Sequence, residues 1–435
     1  MRQNAARPIV HICTDSRRAD LLLEIAQAFA PDLRIALLPA WDCLPYDLAS
    51  PSRAAMGQRA GVLRWLTDKA ALPDIVFATP AALIQRVPPR DTWGAAHVEF
   101  RVGDSIDAEA ISSALRRIGY IVDELADAPG EFAIRGRVLD LFPAAAPRPC
   151  RIEYEDGRVT AIRSYDPGTQ RSVAETDLLI VDPASEIVPC PVDDDSSIAG
   201  REHHLSQYYP KLDSVFDYTA NAGFVVETQT EARLSGLFAQ IADAFASRSE
   251  RGPGITSRRP PAPPQKLYLS RAEWDRAISR NLIAIAEQHG QGEAVPRFAR
   301  ERNPQRALAD YLKDRAAAGG KIVLTAVGER DTRMLARAAE RALGKRPNKI
   351  ANWQSIAAEK RGSVLALAAP LDAGFVVDKQ HITAIAASDV GGSRTGRSAE
   401  QSAALTTLGR AEFHLGDIVV HIEHGMAALE GLEQI

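Results

Sequence analysis

The chain has 435 residues, 46% of them hydrophobic and 25% charged, with a formal net charge of −4. That length exceeds one ordinary core, so about two to four domains are expected. The composition is that of a soluble globular protein, and the acidic balance excludes one that coats nucleic acid by charge alone. Any DNA contact is expected to be weak and local. The four cysteines (Cys13, Cys43, Cys150, Cys190) lie far apart with no C-x-x-C pair. This spacing disfavours a zinc site or a disulfide framework and makes reduced thiols the default. No apolar run of ~18 residues occurs and Met1 is followed by polar residues, so no membrane contact and a cytoplasmic location are expected.

Ile9–Cys13 reads as a short buried strand, and Asp15-Ser16 caps a helix over Arg18–Phe29. A strand over Arg34–Leu38 precedes the block Trp41-Asp42-Cys43-Leu44-Pro45-Tyr46-Asp47. A helix over about Pro51–Leu66, a strand over Ile75–Ala78 and a helix opened by Thr79-Pro80 follow. Strand and helix alternating at these lengths predict a parallel sheet with crossover helices. Trp41 and Tyr46 are expected as core aromatics at a strand-to-helix corner rather than ligand contacts.

Asp107 is the expected cap, and Gly119 the stop, of a helix bearing Ile111, Leu115 and Ile118 on one face. Three strands are then predicted in series: Glu131–Phe142, Cys150–Glu155 and Val159–Tyr165. The turn Glu155-Asp156-Gly157 is a strong hairpin signal, because glycine tolerates positive φ. Phe132, Ile134, Val138, Leu139, Leu141 and Phe142 are expected to supply a buried face. Arginines 135, 137, 148, 151, 158, 163 and 171 supply the other. Two readings of that face stay open, a solvated surface and a docking surface.

Further along, Asp193-Asp194-Asp195 is expected to be a solvated loop, and His203-His204 a surface pair without metal-spaced partners. Gly223–Glu227 reads as a strand and Glu231–Phe245 as a helix. Arg258–Pro264 reads as a stiff polyproline-type connector. Residues 301–390 carry a small α/β pattern: helices Pro304–Ala317 and Asp331–Leu343, with strands at Lys321–Thr325, Ser363–Leu367, Gly374–Val377 and His381–Ala386. Gly391–Thr406 is polar, rich in small residues and unpatterned, which predicts a flexible linker.

The strings GEFAIRGRVLDLFP and CRIEYEDGRVTAIRSYDPGTQRS resemble domain 2 of the UvrB-like module of bacterial transcription-repair coupling factors. The Trp41–Asp47 block, Ala262–Leu269 and Phe413–Gly425 resemble further blocks of that family; the last opens its Tudor-like, RNA-polymerase-interacting domain. The resemblance implies an α/β multidomain chain: a degenerate RecA-like parallel-sheet domain over 1–97 and 189–300, with an inserted α+β domain over 98–188. A small α/β domain (301–390), a linker (391–409) and a truncated Tudor-like start (410–435) would follow. Tyr165 stands where the family commonly has Phe.

The chemistry of a motor is not readable. G-x-x-x-x-G-K-[ST] is missing, Gly320-Lys321 precedes a strand, and Gly344-Lys345 lacks the upstream glycine. His421 and His424 do not form H-E-x-x-H, and no G-x-S-x-G elbow is present. The expectation is therefore no catalytic residue, no metal and no cofactor in this chain, with ATP and Mg belonging to the full-length family. The resemblance implies transcription-coupled nucleotide-excision repair, with UvrA as the partner of domain 2. RNA polymerase is a partner only if the last domain is completed. The alternative is part of an ATP-dependent DNA translocase whose motor domains lie outside the chain. Mapped onto this sequence, Arg151, Arg163 and Tyr165 are the first candidates to face UvrA, with Arg135, Arg137 and Arg158 second. Arg163 and Tyr165, two apart on a strand, share a face that Arg151 can join.

Overall fold

A computed structural model describes residues 8–68, 70–94, 96–191, 200–250, 260–286 and 294–391, and the backbone of 418–421 and 425–428. The run Ile9–Ile12 forms β1, buried along its whole length. The side chain of Asp15 accepts from the Arg18 backbone N–H and starts α1 (Ser16–Phe29). Then come β2 (Ile35–Leu38), α2 (Arg53–Trp65, capped by Ser52), β3 (Ile75–Ala78) and α3 (Pro80–Ile84, capped by Thr79). The chain leaves this layer through β4 (Val98–Arg101) and α4 (Ala108–Arg117), which Asp107 caps as its sequence predicts. Seven strands follow: β5 (Ile121–Val122), β6 (Glu131–Arg135), β7 (Val138–Leu141), β8 (Cys150–Glu155), β9 (Arg158–Tyr165), β10 (Ser172–Glu175) and β11 (Leu178–Val181). It returns through α5 (Val215–Tyr218) to β12 (Gly223–Glu227), α6 (Thr230–Glu250), α7 (Pro264–Leu267), α8 (Arg271–Arg280) and β13 (Leu282–Ala286).

Strands β13-β12-β1-β3-β2 form one sheet, in that order, and every pairing is parallel. Strands β10-β9-β8-β7-β6-β5 form a second sheet, antiparallel except at β5–β6, while β4 and β11 pair with each other. The first sheet is packed by Leu63, Leu83, Trp93, Phe216, Phe224 and Trp274 among others. Tyr46 is in that core, with its hydroxyl donating to the Ala262 carbonyl at 2.8 Å. Beneath the second sheet, Phe132, Leu139, Leu141, Ile152, Val159 and Ile162 pack against Phe100, Leu115, Ile118 and Tyr120.

Two predicted features of the second sheet need correction. Glu131–Phe142 is not one strand but a hairpin, turning at Gly136 with φ +60°. Val138 does not belong to the apolar face. It sits in register with Arg135 and Glu153, one place out of phase with the buried Leu139. A two-residue turn inverts the alternation, which an unbroken strand pattern cannot anticipate.

Two contacts seat the second sheet on the first layer. Arg59 on α2 and Glu186, both fully buried, pair at 2.6 Å, and Trp41 Nε1 donates to the same carboxylate at 2.7 Å. Trp41 is half-buried, short of the core position expected for it, with its indole N–H used within the fold. At Gly57, α2 passes so close to Ala144 that an added Cβ would lie 2.4 Å from the Ala144 Cβ. Gly57→Ala should therefore destabilise the fold by about 1–3 kcal/mol through overpacking, although alanine is the better helix former. Thermal unfolding checks this; a rise in Tm would show that the interface can open.

The chain divides into two units, 1–290 and 291–435. In the second, α9 (Pro304–Ala317), β14 (Lys321–Thr325), α10 (Glu329–Leu343), β15 (Asn348–Ile350), β16 (Val364–Leu367), β17 (Phe375–Val377), β18 (Ile382–Ala386) and α11 (Ala387–Gly391) succeed one another. The sheet order is β15-β16-β14-β18-β17, parallel except for β17. Val295 and Phe298 pack into this unit's core, so its boundary falls before the residue 301 expected from sequence. Strands β19 (Ile418–His421) and β20 (Gly425–Ala428) form an antiparallel hairpin. The Asp193–Asp195 run, Arg258-Arg259, the linker 392–409 and Phe413–Asp417 lie outside the described residues. No described helix is long and apolar enough to cross a membrane.

Candidate functional site

The hairpin β8–β9 turns on Asp156-Gly157, both at positive φ (+47° and +71°), as the Asp-Gly pair predicts. That turn and the one at Gly136 set the register of four strands. Asp140 lies opposite Arg151, Arg151 opposite Arg163, and Arg163 opposite Glu175. One charged row therefore crosses β7, β8, β9 and β10, perpendicular to the chain, on the face away from the apolar core.

Asp140 anchors the row. Its side chain is 3% exposed. Arg151 donates to it twice, from Nε at 2.7 Å and Nη2 at 3.0 Å, and Arg135 Nη2 donates at 3.1 Å. Arg151 also reaches Gln170 Oε1 at 3.2 Å and lies over the Tyr165 ring, 4.9 Å from its centroid. Arg163 donates to Glu175 at 2.5 Å and to Glu153 at 2.7 Å, with its side chain 32% exposed. A planar guanidinium carries five N–H donors, so one held by a carboxylate keeps donors for a second acceptor.

The first three candidates are brought together, but not as three exposed groups. Tyr165 is 3% exposed and lies beneath Arg151. Burial, helped by Asp140, pushes its phenol up to about 12. It stacks under the Arg151 guanidinium rather than forming part of the exposed surface. Arg135 and Arg137 flank the row, Arg137 pairing with Glu155 at 2.6 Å. Arg158 stands apart, donating to the Gly103 carbonyl at 3.0 Å. Sequence reading passed over Asp140; an isolated acid inside the apolar strand VLDLF, among arginine-bearing strands, was the signal.

A second place of interest is the carboxyl end of β1, where the sheet order reverses and open α/β sheets bind their ligands. Here the Glu227 carboxylate takes the Thr14 backbone N–H at 2.9 Å and hydroxyl at 2.8 Å, and Arg18 Nε at 2.9 Å. His11 Nε2 lies 3.5 Å away. Burial pushes the Glu227 carboxyl up, but His11, Arg18 and Thr14 outweigh it and hold the group at about 2, below its ordinary 4.5. A depressed carboxylate stabilises the fold above its unfolded value, and that stability is lost as pH falls through the folded one. The loss between pH 7 and about pH 2 should be roughly 3 kcal/mol from this group, and Glu227→Gln should remove that part of the pH dependence. Urea unfolding at a series of pH values measures it. Identical pH slopes in both proteins would contradict the assignment.

His203 corrects another expectation. It is no surface residue but is buried, edge-on to Trp41, with Nε2 3.7 Å from Cys43 Sγ and 3.2 Å from the Ala49 carbonyl. Burial lowers its pKa, and burial together with Asp42 and Asp47 pushes the Cys43 thiol up to about 12. The pair is a neutral thiol–imidazole contact, not an activated nucleophile. The two Gly-Lys pairs are also structural. Lys321 Nζ donates to the Ile356 carbonyl, and Gly344 ends α10 at positive φ with Lys345 donating to Gly362. Among the described residues no group of His, Cys, Asp and Glu could hold a metal ion.

Residues 98–187, the segment that carries the charged row, match the family model described as the UvrB interaction domain. The transcription-repair-coupling factor of Bacillus subtilis (strain 168) is 23% identical across 99% of this chain, and that of Escherichia coli (strain K12) is 26% identical across 98%. The chain is similar to the transcription-repair-coupling factors. It spans 40% of the length of those two proteins. Identity to the coupling factor of Myxococcus xanthus reaches 33%, over 42% of this chain and 16% of that relative.

Proposed function

We propose that the chain is a non-catalytic recruitment module of transcription-coupled nucleotide-excision repair, and that the charged row of its second sheet docks UvrA. The observation that carries this is the ladder Asp140–Arg151–Arg163–Glu175 on the outward face of the segment that matches the UvrB interaction domain. A buried carboxylate fixes the Arg151 guanidinium in advance, so less side-chain freedom is lost on docking than for an unsupported arginine. In this reading UvrA presents carboxylates or carbonyls to Arg163 and Arg151, and Tyr165 acts only by supporting Arg151.

The same reading assigns no nucleotide chemistry to the chain. In a RecA-like sheet the phosphates need the N–H groups at the start of the helix after β1. The Thr14 N–H and hydroxyl are instead engaged by Glu227, whose charge repels phosphate. Contact with stalled RNA polymerase belongs, in this reading, to the domain that begins near residue 410. Equilibrium binding of purified UvrA to the chain and to its Arg163 variants tests the proposal. Unchanged affinity in those variants would remove the row as the docking surface.

A further inference from the structure

In the second unit, α9 and α10 enclose an open groove of about 900 Å³ lined by five arginines and by no acidic residue. Four of the arginines, Arg330, Arg333, Arg337 and Arg341, recur at intervals of three, four and four along α10, which places them on one face of the helix. Arg306 of α9 faces them. The opposite side of α10 carries the buried Leu335 and Ala339, so the exposed stripe is a consequence of its amphipathic sequence. Arg333 is paired with Glu329 at 3.0 Å, and Arg306 reaches Asp310 at 3.8 Å. Arg330, Arg337 and Arg341 make no ion pair among the described residues and are exposed. A solvated face of this length ordinarily alternates its charges; here one sign is concentrated, in a chain whose net charge is −4.

We propose that this groove holds one strand of a nucleic-acid backbone, without reading its sequence. The row from Arg330 to Arg341 extends about 16 Å, far longer than a single phosphate needs. Its arginines rise by about 5.4 Å per helical turn, on the order of the separation of neighbouring phosphates along a strand. Guanidinium forks match phosphate oxygens two at a time. An acidic peptide fits less well. The groove floor is Leu308, Met334 and Ala338 on two helices whose backbone groups are used internally. An extended peptide lying there would gain no backbone hydrogen bonds from the groove and would have to keep its N–H and C=O groups turned to water. A phosphodiester strand has no such requirement.

The test uses the whole chain and a short fluorescent DNA duplex, read by anisotropy between about 50 and 200 mM salt. Three unpaired arginines predict a slope of log K against log salt near −3. Arg330→Gln/Arg337→Gln/Arg341→Gln should weaken binding at least tenfold at the lower salt and bring the slope close to zero, with thermal unfolding confirming that the variant is folded. Arg163→Glu, on the other unit, should bind the duplex as the parent does. Lack of DNA binding at low salt, unchanged binding by the triple variant, or tighter binding of polyglutamate than of DNA would each overturn the proposal. Loss of DNA binding in Arg163→Glu alone would relocate the site.

Discussion

Arg163→Glu should weaken UvrA binding by about thirtyfold or more while leaving the Tm of the chain almost unchanged. Both halves follow from the position of the residue. Arg163 is on the outward face of β9, bonded among the described residues only to the half-exposed Glu153 and the exposed Glu175, so no fully buried group there depends on it. Reversing its charge turns the centre of the row from a donor into a third acid between two others. A partner that offers acceptors to this face then meets repulsion as well as lost hydrogen bonds. Arg163→Ala should give the same direction with a smaller loss. A direct titration of UvrA by calorimetry or anisotropy decides it, and the docking reading is lost if both variants bind like the parent.

Arg151 is a different kind of probe, and the structure changes what its removal should do. Its place on the outward face suggests that Arg151→Ala would abolish binding without affecting stability. Arg151, however, supplies two of the three hydrogen bonds that described side chains give the buried Asp140. Truncation leaves that carboxylate with Arg135 alone, at a cost of about 1–3 kcal/mol. A loss of binding in Arg151→Ala would therefore mix docking with local unfolding. The clean companion is Arg151→Ala/Asp140→Asn, which removes the buried charge with its partner. If that double variant recovers stability and still fails to bind, Arg151 contacts the partner; if binding returns with stability, Arg151 only shapes the sheet.

How much of this was legible beforehand depends on how local the cause was. Caps were read directly: Asp15, Thr79 and Asp107 all accept from the backbone as residues of those types do before an apolar run. Asp156-Gly157 was equally legible, because a tight turn is a property of two residues. The site's chemistry was only half legible. Parity along β9 placed Arg163 and Tyr165 on one face, and the register placed Arg151 opposite Arg163. Parity says nothing of depth, and the burial of Tyr165 beneath Arg151 is a tertiary feature. Asp140, Glu186 and Glu227 escaped for the same reason. Each is a single acid whose hydrogen-bond donors come from at least five, and up to 213, positions away in the chain. The hairpin at Gly136-Arg137 was hidden because the residues on either side are apolar enough to read as one continuous strand.

The largest stability effect should come from Arg59 and Glu186. Both side chains are fully buried, and the pair ties α2 to the segment that leads back from the second sheet. Taking two charges out of water is costly, and their attraction offsets that cost only when every remaining polar atom is satisfied. Among the described residues it is not: Arg59 Nη2 and Glu186 Oε2 are buried without hydrogen-bond partners there. Removing one member strands the other. Arg59→Met should lose about 3–5 kcal/mol, because Glu186 would keep its charge with Trp41 Nε1 as its remaining side-chain donor. Glu186→Leu should lose a similar amount, since Arg59 would retain only the Pro39 carbonyl. The double variant Arg59→Met/Glu186→Leu should return to the parent's stability or exceed it, because two unsatisfied charged groups are exchanged for apolar packing. Urea unfolding of the four proteins gives the coupling directly. Single variants within about 1 kcal/mol of the parent would mean that water reaches the pair; a double variant no better than the singles would mean that the pair contributes net stability through its geometry.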